Sequence, residues 1–337
     1  MIYFSVILTF ILFTLVLNYI APNLKLIDIP NHRKIHDGNI PLIGGIVIYL
    51  NVLFYCFFYN TSFYINILIY TSSLIIFLGV LDDSIELGVI FRLFAQLVCT
   101  LIIIGSGLYI ENIGSYFVYN DINLGIWSII FTVFCVIGLT NSFNFIDGID
   151  GLCSVLSIIA ILSILLFSYI LNTITLIIDY DFIIIVSFII FLFVFFNLNP
   201  YFKIFLGDAG SMFLGFFVSW LLILYSQNPI NSLPPILTIW CVTIPVFDFL
   251  SVTIRRILRL KNPFKPDKTH LHHLLIGLGI SNYISLLVIT IVAIIANLFG
   301  FYIYYFIGSE ASLIFFLVFL IIYIIITFKI SNHIKGI

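Results

Sequence analysis

The chain has 337 residues, of which 63% are hydrophobic and only 8% are charged, and its formal net charge is −2. Soluble domains carry roughly 25% charged residues, so this composition excludes an ordinary soluble protein, and the lack of excess Lys and Arg argues against a nucleic-acid-binding surface. Apolar runs recur from end to end, which predicts one membrane domain over residues 1–337. Five cysteines lie singly in apolar runs without metal-ligand spacing and are expected to serve in packing.

Polar, Gly and Pro residues divide the chain into eleven apolar segments of about the 20 residues that a spanning helix needs. Lipid admits only helices or closed barrels, and these runs are too long and too uniform for barrel strands. The predicted fold class is therefore all-α, a polytopic membrane protein whose first span is uncleaved because no signal-peptide pattern surrounds it. The predicted spans lie near residues 3–22, 41–59, 63–81, 88–107, 124–142, 152–171, 181–197, 210–226, 234–256, 282–305 and 310–330.

The distribution of charge supports the eleven-span prediction. Lys and Arg accumulate in short cytoplasmic loops, and with eleven spans all 13 Lys and Arg residues and all six histidines fall on or next to one face. We therefore expect that face to be cytoplasmic and the two termini to lie on opposite sides. The span near 181–197 has the least support, because Asp179 and Asp181 lie at its outer end.

The first polar loop on the predicted cytoplasmic face covers residues 28–45. Its Arg33, Lys34 and His36 offer cationic donors for a phosphate, and the two glycines at its end allow a helix start to lie close to another segment. A solvated basic loop with Pro and Gly turns is the alternative.

The second polar loop reads Leu-Asp-Asp-Ser-Ile-Glu over residues 81–86, at the end of the third predicted span. Acids at a helix C-terminus are disfavoured by the helix dipole, and Asp82 and Glu86 share one face if the helix continues. Adjacent carboxylates without a local cation suit a divalent metal or a proton acceptor. A water-facing helix end is the alternative.

The third polar loop covers residues 141–152. Asn141 and Asn144 are expected on one face of the fifth span, and Asp147 and Asp150 are expected to open the sixth span between glycines. Helix capping explains one Asp but not four aligned polar residues. Asn and Asp oxygens suit Mg²⁺, and a Gly-flanked helix start suits a diphosphate.

The fourth polar loop reads Phe-Leu-Gly-Asp-Ala-Gly-Ser over residues 205–211, just before the eighth span. Asp208 is the acid in this loop. It is predicted either to cap the helix that follows or to bind a ligand.

The fifth polar region runs from Asp248, inside an apolar span, to His273. An ionisable residue at membrane depth is a functional candidate, and pairing of Asp248 with Arg255 or Arg256 is the alternative. Three histidines within residues 270–273 could bind a transition metal, but the many cations around them favour a phosphate or nucleotide.

Together these loops predict an active site at the cytoplasmic lipid boundary, with carboxylates and amides for Mg²⁺ and cations for phosphates. This combination indicates phosphoryl transfer between a soluble nucleotide and a lipid.

A resemblance to a known family is carried by five stretches, which read PNHRKIHDGNIPLIGG, LDDSIE, NSFNFIDGIDGL, FLGDAGS and HLHH. They resemble the motifs of the polyprenyl-phosphate N-acetylhexosamine-1-phosphate transferases, most closely the bacterial undecaprenyl-phosphate GlcNAc-1-phosphate transferases. Each motif alone is moderately specific, but all five recur in the family's order across residues 28–273.

The resemblance implies transfer of GlcNAc-1-phosphate, or a related N-acetylhexosamine-1-phosphate, from the UDP-sugar to undecaprenyl phosphate, with release of UMP. It implies that Asp82 deprotonates the lipid phosphate with Asp83 beside it near the metal. Asn144 and Asp208 would hold Mg²⁺, for which Mn²⁺ could substitute. The other implied substrate contacts are Lys34, Asn141, Asp147, Asp150, His270, His272 and His273, with Asp28, Glu86 and Asp267 ranked below them. Glu86 departs from the family pattern, because many relatives carry Asp there.

The resemblance also implies a bacterial inner membrane protein that starts O-antigen or another cell-envelope polysaccharide. The exact sugar and the oligomeric state stay open, with a homodimer as one candidate. A secondary transporter is the rival from another class, although transporters place polar residues near the bilayer midplane. A non-catalytic membrane scaffold is a third hypothesis.

Overall fold

The computed structural model describes residues 2–29, 38–117, 121–173, 177–227, 232–260 and 269–335. Within these ranges the chain forms thirteen α-helices and one two-stranded antiparallel sheet. The helices are α1 (Ile2–Ile20), α2 (Gly44–Phe58), α3 (Phe63–Ile85), α4 (Val89–Gly105), α5 (Ser128–Ile146), α6 (Leu152–Ile170), α7 (Ile177–Leu198), α8 (Gly207–Ser226), α9 (Pro235–Cys241), α10 (Thr243–Leu258), α11 (Leu271–Gly277), α12 (Asn282–Phe306) and α13 (Ser309–Lys335). The strands are β1 (Ile27–Asp28) and β2 (Ile40–Pro41).

Eight of the described helices are long and apolar enough to cross a membrane, namely α1, α3, α5, α6, α7, α8, α12 and α13. The bent pair of α9 and α10 would make a ninth span. The other two predicted spans correspond to α2 and α4, which are apolar helices of 15 and 17 residues. The predicted helical, multi-pass membrane architecture is confirmed, whereas the count of eleven spans is not.

Helix α8 lies at the centre of the molecule and is buried along almost its whole length. It packs against α2, α3, α5 and α6. Small residues allow the closest approaches: a Cβ added to Gly45 would lie 2.2 Å from Gly210 Cα, and one added to Gly79 would lie 2.2 Å from Ala209 Cα. Such contacts between small residues are a common means of packing helices in lipid. They fix the start of α8 against α2 and α3.

The segment before α8 is held by backbone hydrogen bonds to the start of α2. Phe205 N–H donates to the Pro41 carbonyl over 2.9 Å, and the Gly44 and Gly45 N–H groups donate to the carbonyls of Phe205 and Leu206 over 2.8 and 2.9 Å. Pro41 belongs to the short sheet, where β1 pairs with β2. This sheet is a small departure from the predicted all-α class, and it helps to place the Gly207–Asp208 segment.

The predicted span near 234–256 is broken rather than continuous. Helices α9 and α10 meet at Val242 with a bend of 78°. The break has a local cause, because Pro245 has no N–H to donate to the Cys241 carbonyl one turn earlier. A proline is well tolerated in the first turn of a new helix, and Pro245 occupies that turn of α10.

Candidate active site

The carboxylate of Asp83, in the last turn of α3, caps the start of α8. Its Oδ1 accepts the Asp208 N–H over 2.8 Å, and its Oδ2 accepts the Ala209 N–H over 3.2 Å. The first N–H groups of a helix have no partner within that helix, so Asp83 satisfies two of them from another helix. The prediction that Asp208 itself caps α8 is wrong, because Asp208 lies inside the first turn and the cap position is Leu206.

Gly207 is needed where α3 meets α8. Its φ of +73° is unfavourable for any residue with a side chain, and an added Cβ would lie 2.7 Å from Asp83 Oδ2. The Gly-Asp pair of the fourth loop therefore has a structural reason: the glycine makes room for the carboxylate that caps the helix.

Asn144 and Asp208, both predicted metal ligands, lie side by side. The Asn144 Nδ2 donates to Asp208 Oδ1 over 2.8 Å and to Ser211 Oγ over 2.9 Å. Both amide hydrogens of Asn144 are thereby used. These bonds join the end of α5 to the start of α8, so two of the sequence motifs meet at one point.

Both oxygens of the buried Asp82 are engaged. Its Oδ1 accepts the Leu87 N–H over 2.7 Å, and its Oδ2 accepts from Arg92 Nη1 over 2.8 Å. The carboxylate of Asp82 also lies within electrostatic range of Asp208. Sequence reasoning missed Arg92, although the signal was present: it is an ionisable residue inside the apolar run of α4.

Glu86 lies just beyond the end of α3. Helix α3 ends at Ile85, and Glu86 is an exposed, left-handed cap residue with φ of +52°. Glu86 was expected to share a helix face with Asp82 only if the helix continued, and that condition is not met.

Four acids surround the start of α8. The charge of Asp208 acts on Asp82, Asp83 and Asp147, which places all three close to it. Burial raises the pKa of Asp147 well above its usual range, and the charges of Asp208 and Asp150 add to the effect. Within the described ranges, no three His, Cys, Asp or Glu side chains are arranged to hold a metal ion by themselves.

Asp147 and Asp150 lie in the connection between α5 and α6, directly before α6 begins at Leu152, close to the predicted start of the sixth span. Asp147 is the cap residue after α5, while α6 begins after Gly151, whose φ is +78°. Asp150 Oδ2 forms an ion pair with Lys203 Nζ at 2.7 Å. Lys203, which the sequence reasoning had not assigned to the site, thus ties this connection to the segment before α8.

Asn141 is bonded to protein groups one turn before Asn144. Its Nδ2 donates to the fully buried Gln96 Oε1 over 2.7 Å and to the Ile137 carbonyl over 2.7 Å. The contact joins α5 to α4 beside the acidic cluster.

The three histidines begin α11, which packs against α12 and α13. His272 is 1% exposed, and its ring lies against Gly148, where an added Cβ would be 2.0 Å from Nε2. The rings of His270 and His273 lie beside it, with centroids at 6.1 and 4.1 Å. Burial lowers the pKa of His272 to about 3, helped by the charge of His273, so its ring is neutral.

The remaining candidates lie elsewhere. The carboxylate of Asp248 pairs with His270 Nδ1 at 2.7 Å. The sequence had suggested Arg255 or Arg256 as its partner. Asp28 is buried in β1. Lys34 and Asp267 lie outside the described residues.

Comparisons with known proteins show to which family the chain belongs. Residues 64–226 match the sequence model of Glycosyl transferase family 4, which spans the segment from α3 to α8. The chain is 30% identical over 291 residues to the undecaprenyl-phosphate alpha-N-acetylglucosaminyl 1-phosphate transferase of Yersinia pestis, covering 86% of this chain and 80% of the relative. The enzyme of the same name from Haemophilus influenzae is 30% identical over 305 residues, covering 88% and 85%.

The Escherichia coli K12 enzyme of that name is also 30% identical, over 86% of this chain and 79% of its own length. The likeness extends well beyond the segment matched by the family model. The chain therefore belongs to glycosyl transferase family 4, together with these undecaprenyl-phosphate N-acetylglucosaminyl 1-phosphate transferases.

Proposed function

We propose that this protein transfers GlcNAc-1-phosphate from UDP-GlcNAc to undecaprenyl phosphate and releases UMP. The observation that carries the proposal is the meeting of Asp82, Asp83, Asn144 and Asp208 at the start of α8. These residues come from three helices within the segment that matches the family, in a chain that is 30% identical to a named transferase over 86% of its length.

In the reaction one bond forms and one bond breaks. A phosphate oxygen of the lipid forms a bond to the β-phosphorus of UDP-GlcNAc, and the bond from that phosphorus to the bridging oxygen breaks, so UMP leaves. Phosphoryl transfer of this kind depends mainly on positioning and on neutralisation of charge. In our proposal Asp82 takes the proton when the lipid phosphate arrives protonated.

Arg92 is proposed to serve the lipid phosphate. In the structure it holds Asp82 Oδ2, and the Leu87 N–H holds the other oxygen. Guanidinium groups bind phosphate by paired, charge-assisted hydrogen bonds. Exchange of Asp82 for the incoming phosphate would therefore place the nucleophile beside the acid that receives its proton.

The donor set at the start of α8 fits Mg²⁺. Asp208 and Asn144 offer hard oxygen ligands, and Mg²⁺ is usually held by one or two carboxylates with water and substrate phosphates completing the shell. The mutual proximity of four carboxylates also favours a cation. We propose that Asp208 and Asn144 hold Mg²⁺, or Mn²⁺ in its place, and that the ion neutralises charge on the diphosphate.

Asp83 is proposed to position rather than react, because its two oxygens are used to cap α8. We further propose that Asp147 and Asp150 shape the nucleotide pocket and that Asn141 also contributes to substrate binding. The contacts to phosphate are assigned to His270, His272 and His273.

The protein is a multi-pass membrane protein, and we propose that it lies in the bacterial inner membrane with this site facing the cytoplasm. Its product would start O-antigen or another cell-envelope polysaccharide. The homodimer stays a prediction.

The proposal is tested by UMP release from purified protein in detergent, with UDP-GlcNAc, undecaprenyl phosphate and Mg²⁺ each omitted in turn. We expect release only with all three, loss of release in Asp208→Asn, and full release in Lys329→Gln, which alters an exposed residue of α13. UMP release with another UDP-sugar but not with UDP-GlcNAc would mean that the other sugar nucleotide is the donor substrate. If no UDP-sugar gave UMP release, the proposal would be overturned.

The broken helix formed by α9 and α10 is the observation that favours a transporter, since discontinuous helices are common in secondary transporters. Uptake of a solute into proteoliposomes without UMP release would favour that function. The identity to named transferases over most of the chain favours the enzyme.

A further inference from the structure

Asp248 is a buried acid of α10 whose carboxylate collects three hydrogen bonds. It is 2% exposed. Its Oδ2 lies 2.7 Å from His270 Nδ1, while its Oδ1 accepts the Leu271 N–H over 2.8 Å and the Tyr323 hydroxyl over 3.1 Å. One side chain thus connects α10 to the start of α11 and to α13.

The contact fixes which nitrogen of His270 carries a proton. An ionised carboxylate only accepts hydrogen bonds, so His270 Nδ1 must donate to Asp248. The second nitrogen, Nε2, is then the one that can meet a ligand. The same arrangement, a carboxylate that sets the tautomer and orientation of a histidine, recurs in enzymes that depend on that histidine.

The backbone on both sides of His270 is also held. Arg255 Nη2 donates to the Thr269 carbonyl over 2.5 Å, and the Leu271 N–H donates to Asp248. His272 is packed against Gly148 one residue further on. Helix α11 is therefore anchored by several contacts that do not involve the His270 ring, and the bond from the ring to Asp248 adds control of ring rotation and tautomer.

We propose that Asp248 is a positioning residue that keeps His270 in its Nδ1–H form, with Tyr323 supporting the carboxylate, so that Nε2 accepts a hydrogen bond from a protonated phosphate oxygen of the substrate. The inference rests on the proposed transferase activity for its substrate, but the tautomer it requires is a property of the protein alone.

The test begins with Asp248→Asn, which keeps the size of the side chain but removes its obligatory acceptor character. We expect kcat for UMP release to fall roughly 100-fold, with a smaller change in KM for UDP-GlcNAc. The double variant with His270→Gln should be no slower than His270→Gln alone, because Asp248 acts through His270. Tyr323→Phe should give a milder loss in the same direction.

A matched control lies on the same two helices. Ser251 of α10 and Thr327 of α13 share a buried hydrogen bond of 2.7 Å. Ser251→Ala removes this contact between α10 and α13 without touching His270. We expect it to leave kcat within about twofold, which separates positioning from general loosening of the helix pair.

The tautomer is read directly from ¹⁵N NMR of histidine-labelled protein in detergent. We expect His270 in the Nδ1–H form in the wild type and a mixture of tautomers in Asp248→Asn. An Nε2–H form in the wild type would overturn the inference, as would additive effects of Asp248→Asn and His270→Gln. If the wild type released no UMP, the proposed function would fail while the NMR result would still decide the tautomer.

Discussion

The backbone N–H of Asp208 donates a 2.8 Å hydrogen bond to the carboxylate of Asp83, which lies 125 residues earlier in the chain. This bond makes Asp83 the cap of α8 and joins the two acidic motifs into one unit. Each motif therefore depends on the other for its position, and the acid that holds the helix is distinct from the acid that the helix presents.

Replacement of Asp83 by Ala should destabilise the protein by about 1–2 kcal/mol, because a helix start loses its cap. Asp83→Asn should recover most of that stability, since Asn is a comparable cap. Thermal unfolding in detergent measures the difference. Glu86→Ala, at the exposed end of the same helix, is the control and should leave Tm unchanged. An unchanged Tm in Asp83→Ala would argue that Asp83 serves the chemistry alone.

Replacement of Arg92 by Gln should raise KM for undecaprenyl phosphate about 10-fold to 100-fold, the worth of a charged hydrogen bond. KM for UDP-GlcNAc should change little. Arg92→Lys should lose less, since it keeps the charge without the paired geometry. Steady-state kinetics with each substrate varied in turn measures the effect, and Lys329→Gln is the control. A larger effect on the nucleotide than on the lipid would assign Arg92 to the donor substrate instead.

Asp150 and Lys203 should act as a pair. Their side chains are 34% and 25% exposed, so solvent screening limits the ion pair to about 1 kcal/mol or less. We expect Asp150→Asn and Lys203→Met to lower kcat/KM by similar, modest factors and the double variant to be no worse than either. If Asp150→Asn were far more harmful than Lys203→Met, Asp150 would contact the substrate directly.

His272 should make the fold sensitive to acid. Its pKa is about 3 in the folded protein against an ordinary 6.5, so between these values the unfolded chain binds more protons and stability falls as pH falls. From about pH 7 to about pH 5 the loss should be about 2 kcal/mol. His272→Leu should show a smaller fall in Tm over this range than the wild type. Parallel falls in both proteins would show that the fold does not lower the pKa of His272.

Much of the helical architecture could be predicted from sequence, because spans of 20 apolar residues have one solution in lipid. The segments 63–81 and 310–330, for example, fall within α3 and α13. The break at Val242 was missed, since mean hydropathy does not register the hydrogen bond that Pro245 cannot make. The short sheet of residues 27–28 and 40–41 was missed because two-residue strands leave no periodic pattern.

The acids of the candidate site could also be found from sequence, since carboxylates and amides at the ends of apolar runs are costly without a purpose. Their partners could not. The bonds of Asp83 to the α8 backbone, of Asp150 to Lys203 and of Asp248 to His270 depend on which helices become neighbours. Sequence spacing suggested an arginine partner for Asp248, whereas the tertiary fold brings a histidine to it.

In the proposed reaction a phosphorylated sugar, and not the sugar alone, moves to the lipid. UDP-GlcNAc labelled with ³H in the sugar and ³²P at the β-phosphate tests it directly, with both labels counted in the extracted lipid. We expect equal incorporation of the two labels when undecaprenyl phosphate is present, and loss of both together in Asp208→Asn. Incorporation of ³H without ³²P would mean that UDP is the leaving group, which would rule out transfer of GlcNAc-1-phosphate.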